Sequence, residues 1–351
     1  MLSRIGILFL FFPALALAEV TVNPRYDYFQ GQSEELANRL VLSASLAEEK
    51  GPFKIFFEGF GDFETNEDQR FLRRSPMRGY LQEAYIEFNF EAFYLRAGKQ
   101  AMRWSESWVL PSLDIWSGRK FNRLYFDPFK DQLNHSSGLS LSYAGTSYSL
   151  DIALVGEYAE TQLPYPFPEE LQKEQDDLSY GLRFKSQVWS ADYSLIAAKV
   201  PESEVFGLGL NYAFNDWVPK FEIGTQQSNG KDQGSFLTLG ADLFLGDWIL
   251  VFQGTQLQDK FRISEQEQTL LYGSLQWRVE KHEVNLQTYI NITLKDRFLS
   301  ASYGYQVHPL VNLSGFIQNY GGEQGLYAVY QEMTQETVVG VRAELNHILD
   351  Y

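Results

Sequence analysis

The chain contains no cysteine, and this absence excludes several kinds of protein at once. Without thiols it can carry no lipoprotein anchor, no disulfide scaffold, no thiolate metal site and no haem attached through a Cys-x-x-Cys motif. Basic residues are also in the minority, with 29 Lys and Arg against 45 Asp and Glu. The resulting formal net charge of -16 argues against a nucleic-acid-binding protein.

Cofactor and metal motifs are missing as well. The sequence has no phosphate-binding loop, no dinucleotide fingerprint and no metal-ligand spacing. His282, His308 and His347 have no serine or carboxylate pair at a spacing that would indicate catalysis. We therefore expect no cofactor and no metal ion, and we do not expect an enzyme.

Long apolar runs are confined to the N-terminus. Residues 5–17 are apolar and uncharged, but this run is too short to span a membrane as a helix. Arg4 precedes the run, and Ala16-Leu17-Ala18 follows the small-x-small rule for cleavage of a secretory signal. We expect residues 1–18 to be a signal peptide and residues 19–351 to form one domain.

Alternation of apolar and polar residues is abundant from about Val20 to Tyr351. In residues 139–143, for example, Leu139, Leu141 and Tyr143 alternate with serines. Such a period of two is typical of strands with one apolar face. The predicted short turns are 47–51, 91–92, 145–146, 189–190, 215–216, 246–247, 280–281 and 308–309.

Behind a secretory signal, this pattern predicts an all-β fold, a transmembrane antiparallel β-barrel in the outer membrane of a Gram-negative bacterium. The 27 Phe, 21 Tyr and 7 Trp suit the aromatic girdles of such barrels. Short turns, which are periplasmic in these proteins, are expected to alternate with long extracellular loops throughout. If the Pro24-containing segment 20–29 is a strand, the count is about 18, and otherwise about 16.

A barrel of this size encloses water, so the polar residues of each strand should line a pore. Both signs of charge occur among them in similar numbers, which predicts modest ion selectivity. Glu87 should lie opposite Arg96 across the turn at 91–92, as a pair that stiffens the wall. The predicted pore-lining residues are Arg39, Lys54, Glu58, Glu87, Arg96, Arg183, Lys185, Lys220, Glu222, Arg342 and Glu344.

The longest irregular stretch covers residues 105–136, and a loop of this length in a compact fold is usually functional or disordered. Its aromatic content argues against disorder. We hypothesise that it folds into the lumen and narrows the channel, with an ordered extracellular lid as the alternative. The residues assigned to this constriction are Trp108, Trp116, Arg119, Lys120, Arg123 and Asp127.

Residues 81–104 resemble a hairpin of porin-like outer-membrane barrels, among them the alginate-export type. The shared features are an acidic-x-Tyr strand, then Leu-Arg-x-Gly-Lys-Gln, then Trp; the matching positions are Glu83, Tyr85, Leu95, Arg96, Gly98, Lys99, Gln100 and Trp104. The resemblance implies passive or gated passage of small solutes or of a secreted product across an outer membrane. The strongly electropositive lumen of the alginate exporters has no counterpart in the mixed charges of this chain.

Two other functions remain open at this point. His135-Ser136-Ser137-Gly138 resembles the His-x-Ser-Asn-Gly motif of outer-membrane phospholipases, but Gly138 stands where that family has Asn. A barrel that sheathes a periplasmic partner complex is the other possibility.

Several partners are expected besides small solutes. Arg70, Arg73, Arg74 and Arg78 could contact lipopolysaccharide phosphates in the outer-membrane lipid. The C-terminal strand ending in Tyr351 should engage the barrel-assembly machinery. A homo-oligomer is also possible.

Overall fold

The structure is a computed structural model that describes residues 19–31, 36–64, 77–107, 112–119, 133–159, 178–201, 203–228, 232–258, 267–323, 331, 337–345 and 347–349. The predicted signal peptide, the arginines of loop 65–76 and Tyr351 lie outside these ranges. No helix within them is long and apolar enough to cross a membrane.

The described chain is almost entirely β-strand. The strands are β1 (Glu19–Gly31), β2 (Leu36–Lys50), β3 (Phe53–Glu64), β4 (Met77–Phe90), β5 (Phe93–Gln100), β6 (Ser117–Arg119), β7 (Leu133–Ala144), β8 (Tyr148–Glu157), β9 (Ser179–Val188), β10 (Ala191–Val200), β11 (Ser203–Tyr212), β12 (Trp217–Ser228), β13 (Asp232–Leu245), β14 (Trp248–Gln258), β15 (Gln268–Val279), β16 (His282–Asn291), β17 (Asp296–His308), β18 (Val311–Gly321), β19 (Thr337–Leu345) and β20 (His347–Leu349).

Eighteen of these strands form a closed antiparallel ring. Each pairs with its neighbour in sequence, β5 pairs with β7, and β1 closes the ring by pairing with β19 from Arg25↔Glu344 to Gly31↔Val338. The two three-residue strands are additions, since β6 pairs with β7 and β20 extends the pairing along β1. The all-β barrel is confirmed, and the Pro24-containing segment is a strand, so the count is 18.

The outer face of the ring is apolar. Side chains such as Leu42, Leu95 and Leu195 are exposed, whereas residues at alternate positions, such as Val41 and Ile196, are buried. The alternation in the sequence thus maps onto two faces, as the pleat of a strand requires.

Aromatic rings form a belt on this outer face near the short turns. Consecutive ring centroids from Phe93 through Tyr143, Tyr148 and Phe184 to Tyr193 lie 5.0, 5.7, 6.1 and 6.2 Å apart. Tyr and Trp are enriched where a membrane meets water, because their rings are apolar and their tips are polar. The belt above an apolar band is the surface expected of a barrel in a bilayer.

The short turns have a common backbone geometry. Glu91, Trp189, Asn215, Gly246 and Glu280 each open a two-residue turn with φ between 49° and 61°. Positive φ at this position matches the twist of the flanking strands in primed hairpin turns. The turns predicted at 91–92, 189–190, 215–216, 246–247 and 280–281 are confirmed.

Three predicted turns are displaced. Strand β2 continues to Lys50, so its turn is Gly51-Pro52 and not 47–51. The connection between β7 and β8 spans 145–147, and the turn between β17 and β18 is Pro309-Leu310. In each case the hydrogen-bonded pairing with the next strand continues further than predicted or is shifted along the chain. The alternation of apolar and polar residues alone does not reveal where the pairing ends.

The predicted alternation of short turns with long loops is wrong at several positions. At the end opposite the short turns, β10 and β11 are joined by residues 201–202, β12 and β13 by 229–231, and β16 and β17 by 292–295. These strands remain paired to their tips, as in Asn291↔Asp296, so little chain is left for a loop. The connections between these strand pairs are therefore short at both ends of the barrel, and the long connections join other strands.

Gly98 marks a close approach between neighbouring strands. Its φ is +126°, and a Cβ built there would lie 2.2 Å from the backbone oxygen of Ala84 on β4. It pairs with Gly138 on β7, where a Cβ would lie 2.1 Å from the Leu154 oxygen. Only glycine at these two positions allows β4, β5, β7 and β8 to pair this closely. The site lies just before the chain turns away from the barrel wall at the end of β5.

We expect Gly98→Ala to lower the free energy of unfolding by about 2 to 3 kcal/mol, because the added methyl group forces strain at a left-handed φ. Urea midpoints in lipid vesicles, followed by the loss of the heat-sensitive gel mobility of an intact barrel, would measure this. Gly79→Ala is the matched control, since a Cβ there has nothing within 4 Å. Equal urea midpoints for both variants would contradict the conclusion that only glycine fits at position 98.

Candidate functional site: the inner face of the barrel

The predicted pore-lining residues lie on the strand face opposite the exposed apolar side chains. Arg96 follows exposed Leu95, Arg183 follows exposed Leu182, and Arg342 follows exposed Val341. The other eight follow the same alternation; they are Arg39, Lys54, Glu58, Glu87, Lys185, Lys220, Glu222 and Glu344. That these side chains line a conducting pore stays a prediction.

Most of these charges have a partner of opposite sign. Arg96 is ion-paired with Glu87, its register partner across the 91–92 turn. Arg183 lies 2.9 Å from Asp151, and Lys220 lies 2.6 Å from Asp242. Each pair joins adjacent strands, so the charges hold the wall together and largely cancel one another's field.

A cluster at the closure of the ring was not foreseen as a unit. Asp27 on β1 is fully buried and lies 2.6 Å from Arg342 on β19, 3.3 Å from Arg25 and 3.9 Å from Arg39 on β2. The three arginines surround one carboxylate at the seam of the first, second and last strands. A search for alternation can place each residue on a face, but only closure brings the two chain ends together.

The segment after β5 lies against the inner face. Its described residues, 101–107 and 112–119, are called the inner segment here. Leu113 packs against Gly207 on β11, Trp104 and Trp116 pack against Gly181 on β9, and Ser112 bonds Thr238 on β13 at 2.8 Å. The segment thus crosses several neighbouring strands on the face turned away from the apolar outer band.

Glu222 is the main anchor of the inner segment. It is fully buried on β12, and one of its carboxylate oxygens accepts hydrogen bonds from Ser105 Oγ at 2.6 Å, Glu106 N at 2.5 Å and Ser107 N at 3.0 Å. A carboxylate that satisfies two backbone N–H groups fixes the path of the chain and not merely one side chain. The sequence placed Glu222 on the inner face but held no signal for this contact across 116 residues.

Further contacts fix the same stretch. Glu106 lies 2.9 Å from Lys185 and accepts a hydrogen bond from Asn211 at 2.8 Å, so strands β9 and β11 hold one carboxylate between them. Arg183 donates to the Arg103 carbonyl at 2.9 Å. The predicted pore-lining residues Arg183, Lys185 and Glu222 therefore also position the inner segment.

Trp116 is the one predicted constriction residue whose side chain the structure describes. It is fully buried, with its ring 5.1 Å from that of Trp104 and edge-on to it. Its position shows that it packs the inner segment onto the wall. Trp108, Lys120, Arg123, Asp127 and the side chain of Arg119 lie outside the described residues, so the constriction assigned to them stays a prediction.

The His135–Ser137 pair is not arranged as a nucleophile and its base. His135 is buried, with Nε2 3.0 Å from the Gln82 amide nitrogen and 3.6 Å from Glu83. The Ser137 hydroxyl donates to Glu157 at 2.8 Å. Within the described ranges no group of three His, Asp or Glu is placed to hold a metal ion.

No protein-family model matches the chain, and no curated protein is similar to it in sequence. Solved structures do match. A BenF-like porin from Pseudomonas fluorescens Pf-5 superposes with a TM-score of 0.65 at 10% identity, over 95% of this chain and 99% of that one. OpdK of Pseudomonas aeruginosa, in a structure with vanillate, gives 0.63 at 10% identity over 95% and 99%. OccK3 (OpdO) of the same organism gives 0.62 at 11% identity over 95% of each chain.

At this level of identity the likeness shows the fold. The fold is that of Gram-negative outer-membrane porins, and these neighbours do not support the alginate-export type suggested by the hairpin at 81–104.

We expect Glu222→Ala to release the inner segment, because hydrogen bonds to a charged acceptor contribute about 1.5 to 3 kcal/mol each. Tryptic cleavage after Arg103, followed by mass spectrometry of the folded barrel, should become about tenfold faster or more. Asp242→Asn is the matched control, since it breaks the ion pair with Lys220 on the adjacent strand. Equal cleavage rates in the two variants would show that Glu222 is not the anchor.

Proposed function

We propose that this protein is an outer-membrane channel through which small water-soluble solutes diffuse. An 18-stranded ring is too wide for side chains alone to fill, and barrels of this size normally enclose water. The single observation that supports a channel most directly is the polar, charge-paired inner face enclosed by an apolar outer face. The outer-membrane porin fold of its structural neighbours agrees with this proposal.

The inner segment would set the width of the channel. Its contacts run from β7, which pairs with residues 117–119, to Thr238 on β13, so it thickens one side of the wall and leaves the pore off-centre. In this proposal passage is passive, and any gating depends on movement of the residues between 105 and 136. The edge-on contact between the Trp104 and Trp116 rings and the packing of Trp116 onto the wall keep the described part of the inner segment fixed.

Weak ion selectivity follows from the pairing of charges. A pore discriminates by the net field of its lining groups as well as by its width. Because Arg96, Arg183 and Lys220 are each paired with a carboxylate, their fields are largely cancelled. This lining does not suit an anionic polymer such as alginate as cargo.

The direct test is conductance of the refolded mature protein in planar lipid bilayers. Stepwise single-channel currents are expected, with a small reversal potential in a KCl gradient. Absence of any current from protein with the gel mobility of a folded barrel would refute the channel.

Arg96→Gln should shift the reversal potential toward cation selectivity, because it leaves Glu87 without its partner on the pore side. The matched control is Arg96→Gln combined with Glu87→Gln, which removes both charges and should return selectivity close to that of the parent. If the single variant and the parent gave the same reversal potential, this pair would not face the ion path.

A further inference from the structure

The inner face is chemically divided into two parts. The ion pairs described above lie on β1 to β13 and β19, whereas the inner face of β14 to β18, called the uncharged wall here, has no charge along its middle. In these five strands Arg278, Glu283, Asp296 and Arg297 all occupy the first or last two positions of their strand. About a quarter of the ring therefore offers a solute hydrogen-bonding and aromatic groups without fixed charge.

Aromatic residues form a row across the uncharged wall. The register pairs Tyr272 with Tyr289, Tyr289 with Phe298, and Phe298 with Tyr320, so four rings lie at one level on four consecutive strands. The Phe298 and Tyr320 rings are 5.3 Å apart. Tyr272, Tyr289 and Phe298 are partly exposed on the inner face, while Tyr320 at the end of the row is buried.

The next level toward the short turns consists of hydroxyl and amide groups. Ser274, Gln287, Ser300 and Gln318 are successive register partners across the same four strands. Gln287 is exposed, and neither its amide nor the Ser300 hydroxyl has a hydrogen-bond partner among the described residues. Gln318 accepts a hydrogen bond from the Tyr320 hydroxyl at 2.7 Å, so the groups that remain available to a solute among the described residues of this level are those of Gln287 and Ser300.

The contacts of the inner segment reach from β7 to β13, and Leu257 on β14 packs against the same hydrophobic cluster. Among the described residues these contacts leave the part of the uncharged wall on β15 to β18 uncovered. A solute that passes the segment must then travel beside β15 to β18. Selective sites of this kind combine apolar or aromatic surface with a few placed hydrogen-bonding groups. Pyranose rings present C–H faces that pack on aromatic rings, and hydroxyls that exchange hydrogen bonds with amides.

We propose that the uncharged wall is a binding site for neutral polyhydroxylated solutes, that is, mono- or short oligosaccharides. This inference rests on the proposed channel function and names the class of solute that the channel favours. The rings of Tyr272, Tyr289 and Phe298 contact the C–H face of the sugar. Gln287 and Ser300 exchange hydrogen bonds with its hydroxyls.

The test is block of the ion current by added solutes in bilayers containing the refolded mature chain. Glucose, maltose and sorbitol are compared with gluconate, which has the same polyol chain as sorbitol but ends in a carboxylate. The neutral solutes should block at concentrations about fivefold lower than gluconate, the factor expected for roughly one hydrogen bond.

Two variants assign the site. Gln287→Ala combined with Ser300→Ala, and separately Tyr289→Leu, should each raise the half-blocking concentration of maltose by about fivefold while ion current persists. The matched control is Ser45→Ala combined with Ser142→Ala, which removes two hydroxyls from the inner face of β2 and β7 on the charged side. This control should stay within about twofold of the parent.

The outcomes separate the two proposals. A folded barrel without any ion current refutes the channel itself. Three results would overturn the sugar site while leaving the channel function intact. They are a conducting channel that maltose does not block, block by gluconate at a lower concentration than by the neutral solutes, or a Ser45/Ser142 control that weakens block as much as the Gln287/Ser300 variant.

Discussion

Closure of the ring is the constraint on which the rest of this structure depends. An open sheet leaves a row of unpaired N–H and C=O groups at each edge, and in lipid no water is present to satisfy them. Pairing of β1 with β19 removes both edges. It also divides the side chains into an outer set that meets hydrocarbon and an inner set that faces the enclosed space. The buried Asp27 with its three arginines lies at this junction, so the charges that join the chain ends also belong to the inner face.

The inner segment is a consequence of that closure. Residues such as Glu222, Lys185 and Thr238 can grip one short stretch of chain because the ring turns them all toward the same space. A buried carboxylate is costly unless donors satisfy it, and the backbone N–H groups of Glu106 and Ser107 supply them. The wall therefore does two things with its polar groups. On one side they hold a segment of the chain in place, and on the other the Gln287 amide and the Ser300 hydroxyl have no hydrogen-bond partner in the part of the chain that the structure describes.

Much of the fold was predictable because the alternation of a strand is a local property. Leu95 and Arg96 must point to opposite faces whatever the strand pairs with, and the turn at 91–92 then sets Glu87 opposite Arg96. Connection lengths were less predictable. Ile292 continues the alternation of Leu286 and Ile290, and only the pairing of Asn291 with Asp296 shows that β16 ends at Asn291 and that four residues join it to β17. The strand containing Pro24 was ambiguous, because proline withholds a ladder donor but is tolerated near the start of a strand.

The sequence by itself determined which residues face lipid and which face the lumen, since a period of two is imposed by the backbone of each strand without help from the others. It also determined that the chain is a barrel of porin size. Only the tertiary structure decided which inner residues meet. Asp27 and Arg342 are more than three hundred residues apart in the chain, and Glu222 holds a segment that precedes it by more than a hundred. Such contacts depend on the curvature and closure of the whole ring, and no local pattern of residues encodes them.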